Sequence, residues 1–378
     1  MVSEQQTDTP VADSITLPTL VDRVRQAAAS GTALRIRGGG SKDFYGQSLQ
    51  GEVLDVSGLR GVISYEPSEL VVTVRAGTPL AELEALLASQ GQCLPFEPPH
   101  FGPGATVGGM VASGLSGPAR ASVGAVRDFV LGVVLLNGRG ELLTFGGQVM
   151  KNVAGYDVSR LVAGSLGTLG VIVEVSLKVL PVATAEATLR FECSQTQALD
   201  HLNAWGGQPL PLNASCWVED EGVGTLYLRL RGAQAAVAAA CERLGGERQD
   251  NAKVAADWLA CRDQRLPWFL QRTPEQDLWR LSVPQTAPVL DLPDTPLVEW
   301  HGGQRWVRAA AEHATKLRAA AAAAGGHATL FRPAEAGGAT TVPRFDSLTA
   351  PLERIHIELK KQFDPAGVFN RGRMSARW

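Results

Sequence analysis

From Thr106 to Leu180 the chain is loaded with glycine, ending in Gly164-Ser165-Leu166-Gly167-Thr168-Leu169-Gly170-Val171-Ile172. Glycine lets backbone turn through positive φ or come against a ligand with no Cβ in the way. Here the glycines alternate with β-rich runs, Phe129 to Leu136 and Gly170 to Leu180. A sheet whose loops wrap one extended cofactor satisfies both features. A nicotinamide-type Rossmann site fails on context. Gly164, Gly167 and Gly170 have triplet spacing but run into a strand, and Gly38-Gly39-Gly40 is followed by Asp43-Phe44-Tyr45-Gly46, which does not read as a helix. What Arg37-Gly38-Gly39-Gly40-Ser41-Lys42 does offer is a run of backbone N–H groups converging as a nest on an anion, with two cations beside it. A pyrophosphate is its natural guest, although a glycine turn between strands reads the same in isolation.

At 378 residues the chain is long enough for two domains. A net charge of -3 provides no basic field for nucleic acid. The cysteines, Cys93, Cys193, Cys216, Cys241 and Cys261, are odd in number and contain no CxxC pair. That fits a reducing compartment, and an iron–sulfur cluster that takes this protein's electrons should sit on another chain. Met1 to Ser14 is polar, reading as a frayed cytoplasmic tail rather than a signal peptide. No apolar run approaches the roughly 18 residues of a membrane span.

Thr19 opens a capping-box-like helix start, with Leu20, Val24 and Ala28 at helical spacing before Gly31. Strands are expected at Ala33 to Arg37, Val53 to Val56 and Leu70 to Val74, and Thr78-Pro79 opens a helix to Gln90. Pro95 to Gly117 is too punctuated for regular structure and reads as a functional loop. Tryptophan is absent before Trp205, yet Trp205, Trp217, Trp258, Trp268, Trp279, Trp300 and Trp306 follow closely, marking a second domain. These rings suit the core of a small sheet packed by helices, a subunit interface or a substrate wall. Ala309 to Ala324 reads as an alanine-rich helix capped by Gly325-Gly326.

Ala105-Thr106-Val107-Gly108-Gly109 with Ala112-Ser113-Gly114, then Gly124 to Asp128, then Gly164 to Ile172, follow the triple glycine in a fixed order. In this order the chain resembles the FAD-binding domain of the vanillyl-alcohol oxidase and p-cresol methylhydroxylase superfamily, the PCMH type, across about residues 15–182. The likeness narrows at Phe96-Glu97-Pro98-Pro99-His100-Phe101-Gly102-Pro103-Gly104, at Lys151-Asn152-Val153-Ala154-Gly155-Tyr156-Asp157 and at Lys361-Gln362-Phe363-Asp364-Pro365. These segments resemble the glycolate oxidase FAD-binding subunits, the GlcE family, over nearly the whole chain.

The resemblance implies an α+β fold. An FAD-binding PCMH-type domain of two α/β subdomains would span residues 15–182, and a smaller α+β cap for substrate or partner docking residues 183–330. A C-terminal segment, residues 331–378, would return to the FAD domain. It implies FAD held by Arg37, Gly38, Gly39, Gly40, Ser41 and Lys42 at the diphosphate. Flavin and diphosphate would be lined further by Thr106, Gly108, Gly109, Ser113, Gly114, Gly124, Asp128, Gly164, Gly167, Thr168, Gly170, Val171 and Ile172, and by Asn370. The tail departs from the family, since Asn370-Arg371-Gly372 lacks the usual proline after asparagine. Ser41 stands where some members attach flavin through histidine, so the FAD is expected to be noncovalent; Cys93 is a formal thioether candidate.

The resemblance further implies a complex with a larger GlcD-like flavoprotein subunit and a GlcF-like iron–sulfur subunit that oxidises glycolate to glyoxylate. It would be cytoplasmic or peripheral at the inner membrane through its partners. Oxidising a 2-hydroxy acid at a flavin needs a base for the hydroxyl proton and a cation for the carboxylate. Related dehydrogenases use a His-x-His pair, often around a metal. The six histidines here, His100, His201, His301, His313, His327 and His356, form no such pair, so no metal is expected. His327 and Arg332 could serve as base and anchor, with Tyr156 closing over the ring, or all three could be structural. The missing pair favours an electron relay for the larger partner over direct oxidation. Two alternatives remain at this stage, a self-sufficient D-2-hydroxy-acid dehydrogenase and a non-catalytic assembly subunit.

Overall fold

The computed structural model describes residues 16–48, 50–147, 156–220, 222–335 and 342–378. The expected N-terminal tail and Lys151–Gly155 lie outside them. The first helix is Leu17–Ser30, three residues ahead of the expected start, because Thr16 rather than Thr19 is the N-cap and Thr19 completes the capping box. It buries Leu20, Val24 and Ala27 against the parallel pair Leu34–Arg37 and Glu52–Asp55. Next comes a five-stranded antiparallel sheet in the spatial order Val62–Glu66, Val71–Arg75, Val171–Lys178, Val130–Leu136, Leu142–Gly146. Its central strand is apolar on both faces. Val171 and Val173 meet the first helix and Phe369, whereas Ile172, Val175 and Leu177 meet helices Leu80–Ser89 and Val107–Ser113.

Helix Val107–Ser113 corrects the expectation that residues 95–117 lack regular structure. Thr106 caps its N-terminus, and Gly114 at φ 65° ends it. Gly108 is there to pack, since a Cβ would sit 2.6 Å from Cβ of Ala76. Glycine in this segment serves a close helix–strand approach rather than punctuation.

From Ala185 the chain builds an eight-stranded antiparallel sheet. Helices Gln195–Gly206, Gln234–Leu244 and Ala314–Ala323 cover one face. The other face is aromatic. Trp306 and Phe331 pack there with Trp258, Trp268 and Phe269 from helices Asn251–Arg262 and Pro267–Leu270, and with Tyr45 and Leu115 from the N-terminal half. Most of the clustered tryptophans are thus core. The alanine-rich helix begins at Ala314, not Ala309, because Ala309 ends strand Gln304–Ala309 opposite Asp277. The last strand, His327–Arg332, carries the cap sheet two residues past the expected boundary at 330.

Helix Ala350–Phe363 then brings the tail back onto the N-terminal half. Lys360, buried in its last turn, donates to Asp364, to the Thr168 carbonyl and to the Phe369 carbonyl, each at 2.7 Å. Asn370 accepts from the Ile36 amide at 2.8 Å and donates to the Leu166 carbonyl at 2.6 Å, tying the first strand to the last glycine loop.

The two halves are clamped across their interface. Both oxygens of the Glu97 carboxylate accept from one guanidinium nitrogen, Nη2, of Arg229, at 2.6 and 2.7 Å, and Oε1 also accepts from Arg231 at 3.1 Å. Trp300 donates its indole N–H to the Gly117 carbonyl at 3.0 Å, and His301 bridges Ser122 and Ser215. Burial pushes the Glu97 pKa up, but Arg229 and Arg231 outweigh it and hold the group below the usual 4.5. The pair's contribution is therefore complete above pH 4.5 and disappears as pH falls through the lowered folded value. Glu97→Ala would leave Arg229, only 2% exposed, without its counter-ion. We expect a loss of about 3–5 kcal/mol in denaturant unfolding at neutral pH, shrinking in acid. A melt equal to wild type would show that the clamp does not hold the halves together.

Candidate cofactor cradle and interdomain cleft

Strand Leu34–Arg37 delivers the triple glycine to a concave turn. Among the described residues, the amide N–H groups of Gly38 through Lys42 donate to no protein acceptor. Only Gly40 of the three glycines needs the left-handed region, at φ 72°. Gly39 is glycine for a different reason: a Cβ would lie 1.4 Å from the carbonyl oxygen of Gly104, so the first and second glycine segments touch backbone to backbone. Thr106 presses on Gly38 and caps the following helix through the Gly109 amide. The Gly108 amide is spent on the Ala76 carbonyl at 2.7 Å, so that segment shapes the nest while residues 38–42 present the free donors.

The cations differ. Arg37 turns outward to an exposed pair with Asp43 at 2.9 Å. Lys42 lies beside Ser41 and the His100 carbonyl. Burial lowers its pKa to about 8, with Asp263 opposing. An anion seated on the nest would restore its charge.

The later glycine segments cross one another. A Cβ on Gly114 would come 2.8 Å from Cα of Gly164, and Gly167 abuts the Asn370 amide. Ser113 is occupied by the Met110 carbonyl and Thr168 by the Ser165 carbonyl. Gly170 abuts the Leu136 carbonyl, and Val171 and Ile172 bury their side chains in the two cores. Asn370, occupied on both ends of its amide, positions loops rather than facing a ligand.

A cavity of about 420 Å³ opens where Gly114, Gly124 and Asp128 meet Arg280, Ser282 and His327 of the cap sheet. The chain thus brings three expected cofactor residues to one expected catalytic residue. Asp128 is held by the Ala125 amide at 2.8 Å. His327 pairs with Ser282 and Arg332 with Leu278, and an extra residue at Phe331 shifts the register between them. Five residues apart, the two would face opposite sides of a regular strand; this bulge returns Arg332 to the His327 side. Arg332 is nevertheless committed elsewhere. Its guanidinium lies 3.5 Å from the Phe44 ring centre and 4.9 Å from that of Phe101, and its Nε donates to Gln264 at 3.0 Å. Burial, then Arg272, lowers its pKa to about 10. Tyr156 is 96% exposed and lines none of the cavities described here.

Two arginines line the cleft, Arg120, stacked on Trp300 at 4.4 Å, and Arg280; sequence reasoning passed over both. Arg280 donates to the Tyr45 hydroxyl at 3.1 Å, and its buried Nε–H has no partner among the described residues. The signal for Arg280 was the alternation in Asp277–Ser282, where Arg280 and Ser282 share one face and Trp279 and Leu281 the other. His327 opens onto the cleft. Burial, then the Arg280 charge, lowers its pKa below the ordinary 6.5, with Asp346 opposing. It is therefore a neutral imidazole, able to accept a proton, at physiological pH.

Comparison with known proteins agrees with this geometry. A family model described as an FAD binding domain matches residues 16–146. The structure superposes on an alkyldihydroxyacetonephosphate synthase with a TM-score of 0.64 at 15% identity, covering 93% of this chain and 74% of that one, which supports the α+β fold. The chain is 30% identical over 139 residues to glycolate oxidase subunit GlcD of Bacillus subtilis, covering 37% of this chain and 29% of that one. To glycolate oxidase subunit GlcE of Escherichia coli it is 48% identical over 359 residues, 94% of this chain and 97% of the other. With identity at that level along almost the full length of both proteins, and an FAD binding domain at its head, the chain belongs to the glycolate oxidase subunit GlcE family.

Proposed function

We propose that this protein is the FAD-bearing subunit of a glycolate oxidase. It would oxidise glycolate to glyoxylate and pass the electrons to a GlcD-like flavoprotein and a GlcF-like iron–sulfur subunit. What supports this reading is the cleft that joins Gly114, Gly124 and Asp128 to Arg280 and His327, together with the N–H groups of Gly38–Lys42, which have no acceptor among the described residues. The nest suits a diphosphate, and Phe44 and Tyr45, which follow it, pack on Phe331 of the cap; we divide the chain into 15–182, 183–330 and a returning 331–378.

FAD would be held at the diphosphate by Gly38, Gly39, Gly40, Ser41 and Lys42, and at the flavin end by Gly114, Gly124 and Asp128. Bound there noncovalently, it supplies a two-electron acceptor for hydride from carbon. Arg280, with Arg120 on the same cleft, offers a guanidinium charge to a carboxylate at the cleft wall. The His327 imidazole takes the hydroxyl proton. Arg332 and Tyr156 drop out of these roles because one is stacked on phenylalanines and the other stands in solvent. All five cysteines are free, and among the described residues no three His, Cys, Asp or Glu side chains are placed to hold a metal. In this reading the electrons leave to another subunit. No helix among the described residues is long and apolar enough to cross a membrane; we place the complex in the cytoplasm or at the membrane surface through its partners.

FAD affinity should fall as pH rises through about 8 and be flat below it, because diphosphate binding must recharge Lys42 above that pH. Titration by flavin fluorescence checks this; Lys42→Met should bind weakly with no such step. An affinity independent of pH in the wild type would remove Lys42 from the site.

Gly40→Ala places a Cβ at φ 72° against the flexible Arg37 side chain and should cost about 1–2 kcal/mol in a still-folded protein. Gly39→Val drives carbon into the Gly104 backbone and should yield no native circular dichroism spectrum. A folded, FAD-loaded Gly39→Val would show that the two loops need not touch.

In the assembled oxidase, Arg280→Gln should raise KM for glycolate by about 10- to 100-fold, the value of a charged hydrogen bond. Arg332→Gln should leave KM unchanged and lower the melting temperature. The reverse pattern would restore Arg332 as the anchor.

A further inference from the structure

A larger cavity, about 780 Å³, belongs to neither the nest nor the cleft and opens in the cap between strand Leu212–Asp220 and helix Asn251–Arg262. Its floor is aromatic. Trp258 and Trp268 are each 6% exposed, and Tyr227 stands beside them. Its wall is acidic: Glu219, Asp220, Asp257 and Asp294 face one guanidinium, Arg308, which Asp294 already binds at 3.0 Å. A cavity with that charge repels the anions of the proposed reaction, FAD, glycolate and glyoxylate, and attracts a cation.

The surroundings say what kind of cation. Val223, Leu259 and Leu270 adjoin the lining residues Gly222, Trp258 and Gln271 in the chain, and they are 45%, 48% and 70% exposed. A small solute inside the cavity leaves these side chains in water, whereas a polypeptide lying across the mouth can cover exposed apolar surface beside it. Protein interfaces have this anatomy, an anchor side chain in a desolvated aromatic socket with apolar contacts around it, and arginine is prominent among such anchors.

We propose that this acidic, aromatic-floored socket docks another subunit of the oxidase, which inserts a basic side chain between the carboxylates and lays apolar residues on Val223, Leu259 and Leu270. The inference rests on the reading that this chain works within a complex. The socket is remote from the exposed apolar face of helix Ala350–Phe363, where Leu352 and Ile355 are 48% and 53% exposed, in chain position and in supporting element, so that face serves as the control surface.

The test is co-expression of the tagged chain with the flavoprotein and iron–sulfur subunits of its own oxidase, followed by affinity purification and size-exclusion chromatography. Wild type should retain both partners at fixed ratio; failure to do so overturns the complex reading itself. Given a wild-type complex, Asp257→Arg and Leu270→Asp should each cut partner recovery by about tenfold or more, the scale of an interface hot spot. Both sites are exposed, so FAD content and melting temperature should match wild type, separating lost docking from lost folding. Leu352→Asp with Ile355→Asp should retain the partners. Full partner recovery by the socket variants, or loss only in the helix variant, overturns the socket.

Discussion

Everything in the cofactor half depends on backbone meeting backbone without side chains between. Gly39 lies so close to Gly104 that no Cβ fits, and Gly114 crosses Gly164 in the same way. These contacts fix the turn at residues 38–42 against the second glycine segment, and Gly114, which crosses Gly164, stands with Gly124 and Asp128 at the cleft. Glycine costs conformational entropy in the unfolded chain, and the fold recovers it through the tail. Lys360 and Asp364 lock the final turn, and Asn370 bonds to the first strand and the last glycine loop at once.

The cleft exists only because the cap sheet is clamped at a fixed distance from those loops. Glu97, on the loop that follows the second helix, is gripped by two arginines of the cap, and Trp300 and His301 add neutral hydrogen bonds near Gly117 and Ser122. Aromatic rings from both halves fill the space between, with Phe44 and Tyr45 against Phe331. Within that packing Arg280 keeps one donor free. A buried guanidinium donor without a partner is costly.

Much of this was legible in the sequence, for physical reasons that differ by element. Residues 38–42 and 164–172 could be read because dense glycine beside a strand has few uses, and the sheet strands because their apolar runs are bounded by turn residues. The helix Val107–Ser113 was missed because Gly108 and Gly109 look like breakers when isolated, whereas Gly108 is required by contact with Ala76. Arg332 was singled out beside His327 and Arg280 went unnoticed, since both lie in strands and sequence does not tell which guanidinium is stacked on aromatic rings and which lines the cleft. The extra residue at Phe331 is a tertiary feature that no alternation pattern announces. The alanine run misplaced its helix start because alanine suits helix and strand core alike, and strand pairing with Asp277 decided Ala309.

Whether the oxidation chemistry resides on this chain is the central claim, and it is most directly tested by its own flavin. The FAD-loaded chain, free of partner subunits and kept anaerobic, would be mixed with glycolate while its visible absorbance is followed. The arrangement of Arg280 and His327 beside the glycine loops predicts bleaching of the flavin in a single turnover, with glyoxylate formed in equal amount. A flavin that stays oxidised with glycolate, yet is reduced once the partner subunits are added, would contradict it and make this chain a relay.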